Sequence, residues 1–183
     1  FFVLGILLSG LAATMLLPAT ADLAARNPEW KSFVGAAGFT AFIGITLILS
    51  NRTASFEIDV RRMFMLTVLS WVGIAAFGAI PLMFSDLELS YTDAFFEAMS
   101  GITTTGSTVL TGLDIAPPGI LLWRALLQWL GGIGIIVMAV AVLPLLKVGG
   151  MQLFRIEMSD HSKRLLPRTG PTAGWIAAIY GVL

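Results

Sequence analysis

The chain has 183 residues, 57% of them hydrophobic and only 12% charged, where an ordinary globular domain carries roughly a quarter charged residues; with a mean hydropathy of +0.89 it reads as a membrane protein. Its 11 basic and 11 acidic residues leave no net charge, which speaks against a nucleic-acid partner, and the absence of cysteine excludes a disulfide framework or a thiolate metal site. A single histidine, His161, likewise removes the common histidine-cluster sites.

A helix needs about 20 mainly apolar residues to span a bilayer. Such runs occur at 1–21, 32–51, 63–85 and 125–147, the last ending just before Lys147, and a fifth begins near Thr169. The first has no basic leader and is followed by further spans, so it is not read as a cleaved signal. The chain opens on Phe1 and stops at Leu183 inside an apolar run, and is expected to be a segment of something longer.

Lysine and arginine set the orientation of spans. Arg52, Arg61 and Arg62 fall in one loop, and Lys147, Arg155, Lys163, Arg164 and Arg168 in another. Between Arg62 and Arg124 there is no basic residue, yet five acids fall there: Asp86, Glu88, Asp93, Glu97 and Asp114. The two basic segments are therefore expected to be cytoplasmic, residues 86–117 external, and the N-terminus inside. The loop at 22–31, with Arg26 and Lys31 beside Asp22 and Glu29, votes only weakly.

Residues 86–117 are too long for a turn and too short for two spans. Within them SYTDAFFEAMSG reads as a short helix over 91–100. Ser90 with Asp93 three residues on has the capping-box pattern, which satisfies free backbone donors at a helix start. Ten residues at 1.5 Å each give roughly 15 Å, half a bilayer. A half-length helix followed by the polar run ITTTGST is the pattern of a re-entrant loop, whose irregular backbone survives at membrane depth only in protein or against water. A helix entering from outside points its partially negative C-terminus inward, where a cation is stabilised. A dehydrated cation needs oxygens in place of its water, and backbone carbonyls can supply them. The β-branched threonines favour extended backbone, and Gly106 opens dihedrals that let neighbouring carbonyls face one way. The segment 102–108 is the expected filter. Taken alone, TTTGST reads as a Thr/Gly-rich external turn; the half-length helix, the acid-only flank and the long span that follows are what favour the pore loop.

FFEAMSGITTTGSTVL, followed by WRALLQWLGGIGIIVMAVAVLPLLKVGGMQLFRIEMSD, closely resembles the Trk/Ktr/HKT superfamily of potassium transporters, and within it the bacterial Trk H-type subunits. The resemblance implies an all-α integral membrane fold: a leading two-helix hairpin, then span–pore loop–span repeats of potassium-channel type, cut here before the remaining repeats. On that reading 1–51 is the N-terminal hairpin and 52–62 a cytoplasmic loop. Residues 63–146 are the first repeat, 147–168 a cytoplasmic segment, and 169–183 the start of the second repeat. Thr104 and Thr105 would supply carbonyls to potassium, Gly106 would be the filter glycine, and Thr103 and Ser107 would flank the path. The implied function is potassium uptake through a bacterial inner-membrane permease, with K⁺ as cargo and no covalent cofactor. A homodimer and a cytosolic nucleotide-binding gating ring of the Trk A type are the implied partners. The longer TVGYG filter motif of potassium channels is absent, which suggests a shorter and less selective filter. One loop cannot close a pore, so the expected conducting unit includes repeats beyond residue 183.

Other residues carry alternatives. Glu97 falls inside the expected pore helix and could act on the filter, tuning the cation field or hydrogen-bonding its backbone, or face a solvated vestibule. Arg124, with Gln128 one turn on, could pair with an acid of the external vestibule, orient the pore loop or extend to the headgroups. Asp86, Glu88, Asp93 and Asp114 read as a diffuse negative mouth. GGIG at 131–134 follows no strand, so close helix packing is expected rather than nucleotide binding. Pro144 is expected to bend or end its span, and the 147–168 segment to meet a partner or anionic lipid. Trp30, Trp123 and Trp175 are expected in aromatic belts, and Trp71 and Trp129 in packing. No nucleophile–base pair is visible, so an enzyme is not expected. A proton- or sodium-coupled potassium symporter, a homotetramer with one loop per chain, and an inert structural subunit stay open as rivals.

Overall fold

Uninterrupted apolar sequence leaves the backbone to satisfy its own polar groups, and it does so as helix. A computed structural model describes residues 1–52 and 60–142. It holds α1 (Phe2–Ala24), α2 (Trp30–Ser50), α3 (Val60–Gly78), α4 (Ile80–Met83), α5 (Tyr91–Ile102) and α6 (Pro118–Val142), with a 3₁₀ turn at Leu113–Ile115. Four stretches are long and apolar enough to cross a membrane: Phe2–Ala24, Trp30–Ser50, Phe64–Met83 and Pro118–Met138. Most of the 52–62 loop, Pro144, the 147–168 segment with His161, and the run from 169 with Trp175 lie outside the described residues.

α1 and α2 form an antiparallel hairpin. Gly5, Leu8, Ala12, Met15, Ala19 and Asp22 recur every three or four residues on the buried stripe of α1. It faces Phe33, Ala36, Ala37, Thr40 and Gly44 of α2. The backbones approach so closely that a Cβ on Gly5 would lie 2.7 Å from the Gly44 carbonyl oxygen, the small-residue contact that lets membrane helices pack without a hydrophobic driving force. Hydroxyls within these helices bond back to carbonyls one turn earlier, as Ser9 does to Gly5 (2.8 Å) and Thr46 to Phe42 (2.7 Å).

The third span is α3 and α4 together. Pro81 lacks the N–H that would continue the ladder, and the helix is interrupted at Ala79. The fourth starts at Pro118, seven residues before the expected Ala125. Proline at the first helical position has no N–H to waste and a helical φ, and the charge of Arg124 inside the span is met by a partner described below. Trp123 is a second correction. It is fully buried, not at a belt, with its ring edge-on to Phe33 and its indole N–H donating to Gly78 O at 2.9 Å. Residues 1–131 form one compact unit; Gly132 opens a second, of which Gly132–Val142 are described.

Candidate functional site

α5 starts where the capping box predicts. Ser90 is the N-cap, in extended backbone, and its hydroxyl oxygen accepts from Asp93 N–H at 3.2 Å while donating to Asp93 Oδ2 at 2.7 Å. Asp93 is thus engaged at the helix start by Ser90. The helix runs 12 residues, to Ile102, two beyond expectation, so Ile102 is buried helix and not filter.

The helix ends in a Schellman motif, in which N–H groups past the end bond back to the last free carbonyls. Thr104 N–H donates to Gly101 O at 2.9 Å and Thr105 N–H to Ser100 O at 3.0 Å, with Gly106 N–H also reaching Ser100 O at 3.3 Å. A trans peptide holds its N–H and the preceding C=O in opposite directions. The carbonyls of Thr103, Thr104 and Thr105 therefore point away from α5, in backbone whose residues from 104 to 107 are exposed. No donor among the described residues engages them. The Thr103 hydroxyl, by contrast, bonds back to Met99 O (2.8 Å) and lies 2.9 Å from the Thr105 hydroxyl.

Two residues of this segment have positive φ: Gly106 at 77° and Thr104 at 59°. The second corrects the expectation that the threonines stay extended. The motif demands a left-handed residue at that position, usually glycine, and a β-branched one there is a strained outlier. Thr104→Gly is expected to leave stability unchanged or raise it by at most about 1.5 kcal/mol, since relief of a left-handed cost of about 1–2 kcal/mol is offset by glycine's entropy cost of roughly 0.5–1 kcal/mol. Thermal unfolding in detergent reads this; a large loss would mean that the threonine side chain, not the cap geometry, holds the turn.

Beyond the cap the chain folds back along α5. The Ser100 hydroxyl donates to Ser107 O at 2.6 Å, so the Ser107 carbonyl faces the helix, unlike the three before it. One turn nearer the start, Glu97 is 2% exposed. Its Oε1 accepts from the Thr108 hydroxyl (2.6 Å), Val109 N–H (2.5 Å) and Leu110 N–H (3.3 Å). Its Oε2 is paired with Arg124 of α6, whose Nη1 also donates to Thr108 Oγ1 at 3.1 Å. Of the two roles open for Glu97, the structure places it on the backbone after TTTG. Arg124 turns inward to it rather than out. Asp114 is exposed on the 3₁₀ turn and joins none of this.

α6 closes against the other side. Gly131 sits where a Cβ would collide with the Ile102 carbonyl, and a Cβ on Gly101 would lie 3.0 Å from Leu127 Cβ. The first glycine of GGIG is thus a packing residue.

Sequence inspection passed over Asp22 and Glu29. Asp22 Oδ1 accepts from Gly119 N–H at 2.7 Å, and Glu29 Oε1 from Asp86 N–H at 2.7 Å. Both side chains are buried. Burial holds the Glu29 carboxyl above its usual range, the Asp86 N–H bond works against this, and the nearby Asp86 and Asp22 carboxylates add to the rise. The available signal was Asp22 itself, the one charge in a 23-residue apolar helix.

A family model described as TrkH, cation transport protein, matches residues 31–169. The Trk system potassium uptake protein TrkH of Halomonas elongata is 45% identical over 184 residues, covering 99% of this chain and 38% of that protein. TrkH of Escherichia coli K12 is 42% identical over the same length and coverage. The crystal structure of the potassium transporter TrkH from Vibrio parahaemolyticus superposes with a TM-score of 0.82 at 38% identity, over 99% of this chain and 36% of that one. The chain thus spans under two fifths of the length of these relatives.

Proposed function

The chain belongs to the TrkH family of cation transport proteins, and on that premise we propose that it carries the first pore loop of a potassium-uptake permease. Its all-α fold of membrane-crossing helices, shared with the Vibrio TrkH structure, places it in a membrane. Residues 1–51 are then the leading hairpin and 63–146 the first span–pore loop–span repeat, with α5 as pore helix. Thr103–Gly106 form the ion-facing segment, and Thr104 and Thr105 present carbonyls to K⁺. Ser107 joins the support, since its carbonyl is held by Ser100. The observation that carries this reading is the row of outward carbonyls at Thr103, Thr104 and Thr105, unengaged among the described residues and each turned by an N–H bond behind it. Carbonyls so arranged replace a cation's hydration shell without any side-chain charge.

Family resemblance supports a bacterial inner membrane, and the distribution of basic residues supports an orientation with the N-terminus and 147–168 cytoplasmic and 86–117 external. Family resemblance supplies the rest: further repeats complete the pore, the protein pairs as a homodimer, and 147–168 is a contact for a nucleotide-binding gating ring. The protein moves ions and converts no substrate.

The test is potassium uptake by the intact parent protein in cells lacking their own uptake systems, with sodium entry followed in parallel. A Cβ at Gly106 would meet Gln128 Nε2 only at 3.8 Å, an ordinary contact, so Gly106→Ser acts through its φ of 77° and not through a clash. A left-handed serine costs about 1–2 kcal/mol, enough to turn the adjoining peptides. Expected at normal abundance is lost potassium flux or admitted sodium. Wild-type behaviour towards both ions would reduce 103–107 to a surface turn.

A further inference from the structure

We propose that the leading hairpin sets the pore loop's ion discrimination through Asp22, a positioning residue that fixes α6 along its axis. This rests on the filter reading above.

The start of α6 is built for an external acceptor. Pro117 and Pro118 have no N–H, so Gly119 offers the first free donor of the helix. Asp22 Oδ1 takes it from 97 residues away in sequence, and both groups are buried. The carboxylate lies so close that a Cβ on Gly119 would collide with it. A negative group at this end also complements the helix dipole. The same turn of the hairpin grips the other span flanking α5: the Ser32 hydroxyl donates to Phe84 O at 2.8 Å, and Glu29 accepts from Asp86 N–H. Both spans that bracket the pore loop are therefore tied to one rigid turn.

What α6 carries beyond Gly119 explains why its axial placement matters. Trp123, one turn on, is locked between Phe33 and Gly78 O. Arg124 follows, holding Glu97 and Thr108, and Gly131 bears on the Ile102 carbonyl just before Thr103. A slip of α6 by one residue is about 1.5 Å, more than the Arg124–Thr108 bond of 3.1 Å tolerates before it ceases to be a hydrogen bond. Asp22 thus acts on the filter through Arg124, without touching it.

The experiment uses the intact parent protein in the same dual potassium and sodium assay, normalised to membrane abundance. Asp22→Leu should lower the K⁺/Na⁺ ratio several-fold, whereas Asp22→Asn, which keeps an acceptor oxygen, should retain most of it. Gly119→Ala, which pushes the carboxylate off the helix start while leaving it charged, should reproduce the leucine result and serves if that variant does not accumulate. In a Glu97→Gln/Arg124→Gln background, where the Arg124–Thr108 contact is already gone, either change should lower the ratio less than it does alone. Wild-type discrimination in Asp22→Leu or Gly119→Ala, or an undiminished effect in the double background, overturns the proposal. If Gly106→Ser alters discrimination and these do not, the filter stands and the brace falls; if Gly106→Ser is silent, both fall together.

Discussion

Gly131→Ala is expected to abolish most potassium uptake by the parent protein and to lower its abundance in the membrane. The added methyl has nowhere to go: it meets the carbonyl carbon and oxygen of Ile102, which are backbone, so no side-chain rotation relieves the contact. Ile102 ends α5, and the Schellman turn that aims the Thr103–Thr105 carbonyls begins with the next residue. Overpacking of this kind costs typically 1–3 kcal/mol. Because the yielding element is the pore helix itself, strain of that size spent on the filter corresponds to roughly a tenfold to hundredfold change in the population of its working conformation. Uptake rate and membrane abundance, measured together, check this. Wild-type values for both would mean that α6 and α5 lie farther apart than the structure places them.

Arg124→Gln and Glu97→Gln are each expected to destabilise the protein more than the pair of changes made together. The two side chains are 17% and 1% exposed, so removing one partner strands the other charge in a poorly solvated place. Breaking a buried pair singly costs about 3–5 kcal/mol, while replacing both partners is often close to neutral. Glutamine at 97 still offers an oxygen to Val109 and Leu110 N–H, so the backbone tether persists when the charge goes. A double-mutant cycle on thermal stability should therefore show a coupling at or above about 3 kcal/mol, the upper end for residues in contact. Additive effects would place Arg124 in headgroups or water, with no part in holding Thr108.

Much of this was legible from residue order. The four membrane-crossing stretches follow from runs of apolar residues, and the α5 N-terminus from Ser90 and Asp93. Both are local: a helix in an apolar setting satisfies its own backbone, and a cap needs only residues three apart. The polar ITTTGST run also announced where the chain would leave regular structure.

Other features were decided by residues far apart in sequence. Sequence spacing expected the last span to begin after Arg124, because a charge counts against a membrane helix; Glu97 removes that penalty from 27 positions away. Trp123 reads as a belt residue by position and is buried because Phe33 and the Gly78 carbonyl meet it. Thr104 looks extended by propensity, but the end of α5 requires a left-handed residue there. Asp22 reads as a charge of the 22–31 loop until Gly119 is brought against it. Sequence by itself determined that there are membrane-crossing helices and roughly where each falls, since those depend on neighbours along the chain. Tertiary structure alone decided which carbonyls face outward and which charges are paired, because burial and partnership are properties of what packs alongside.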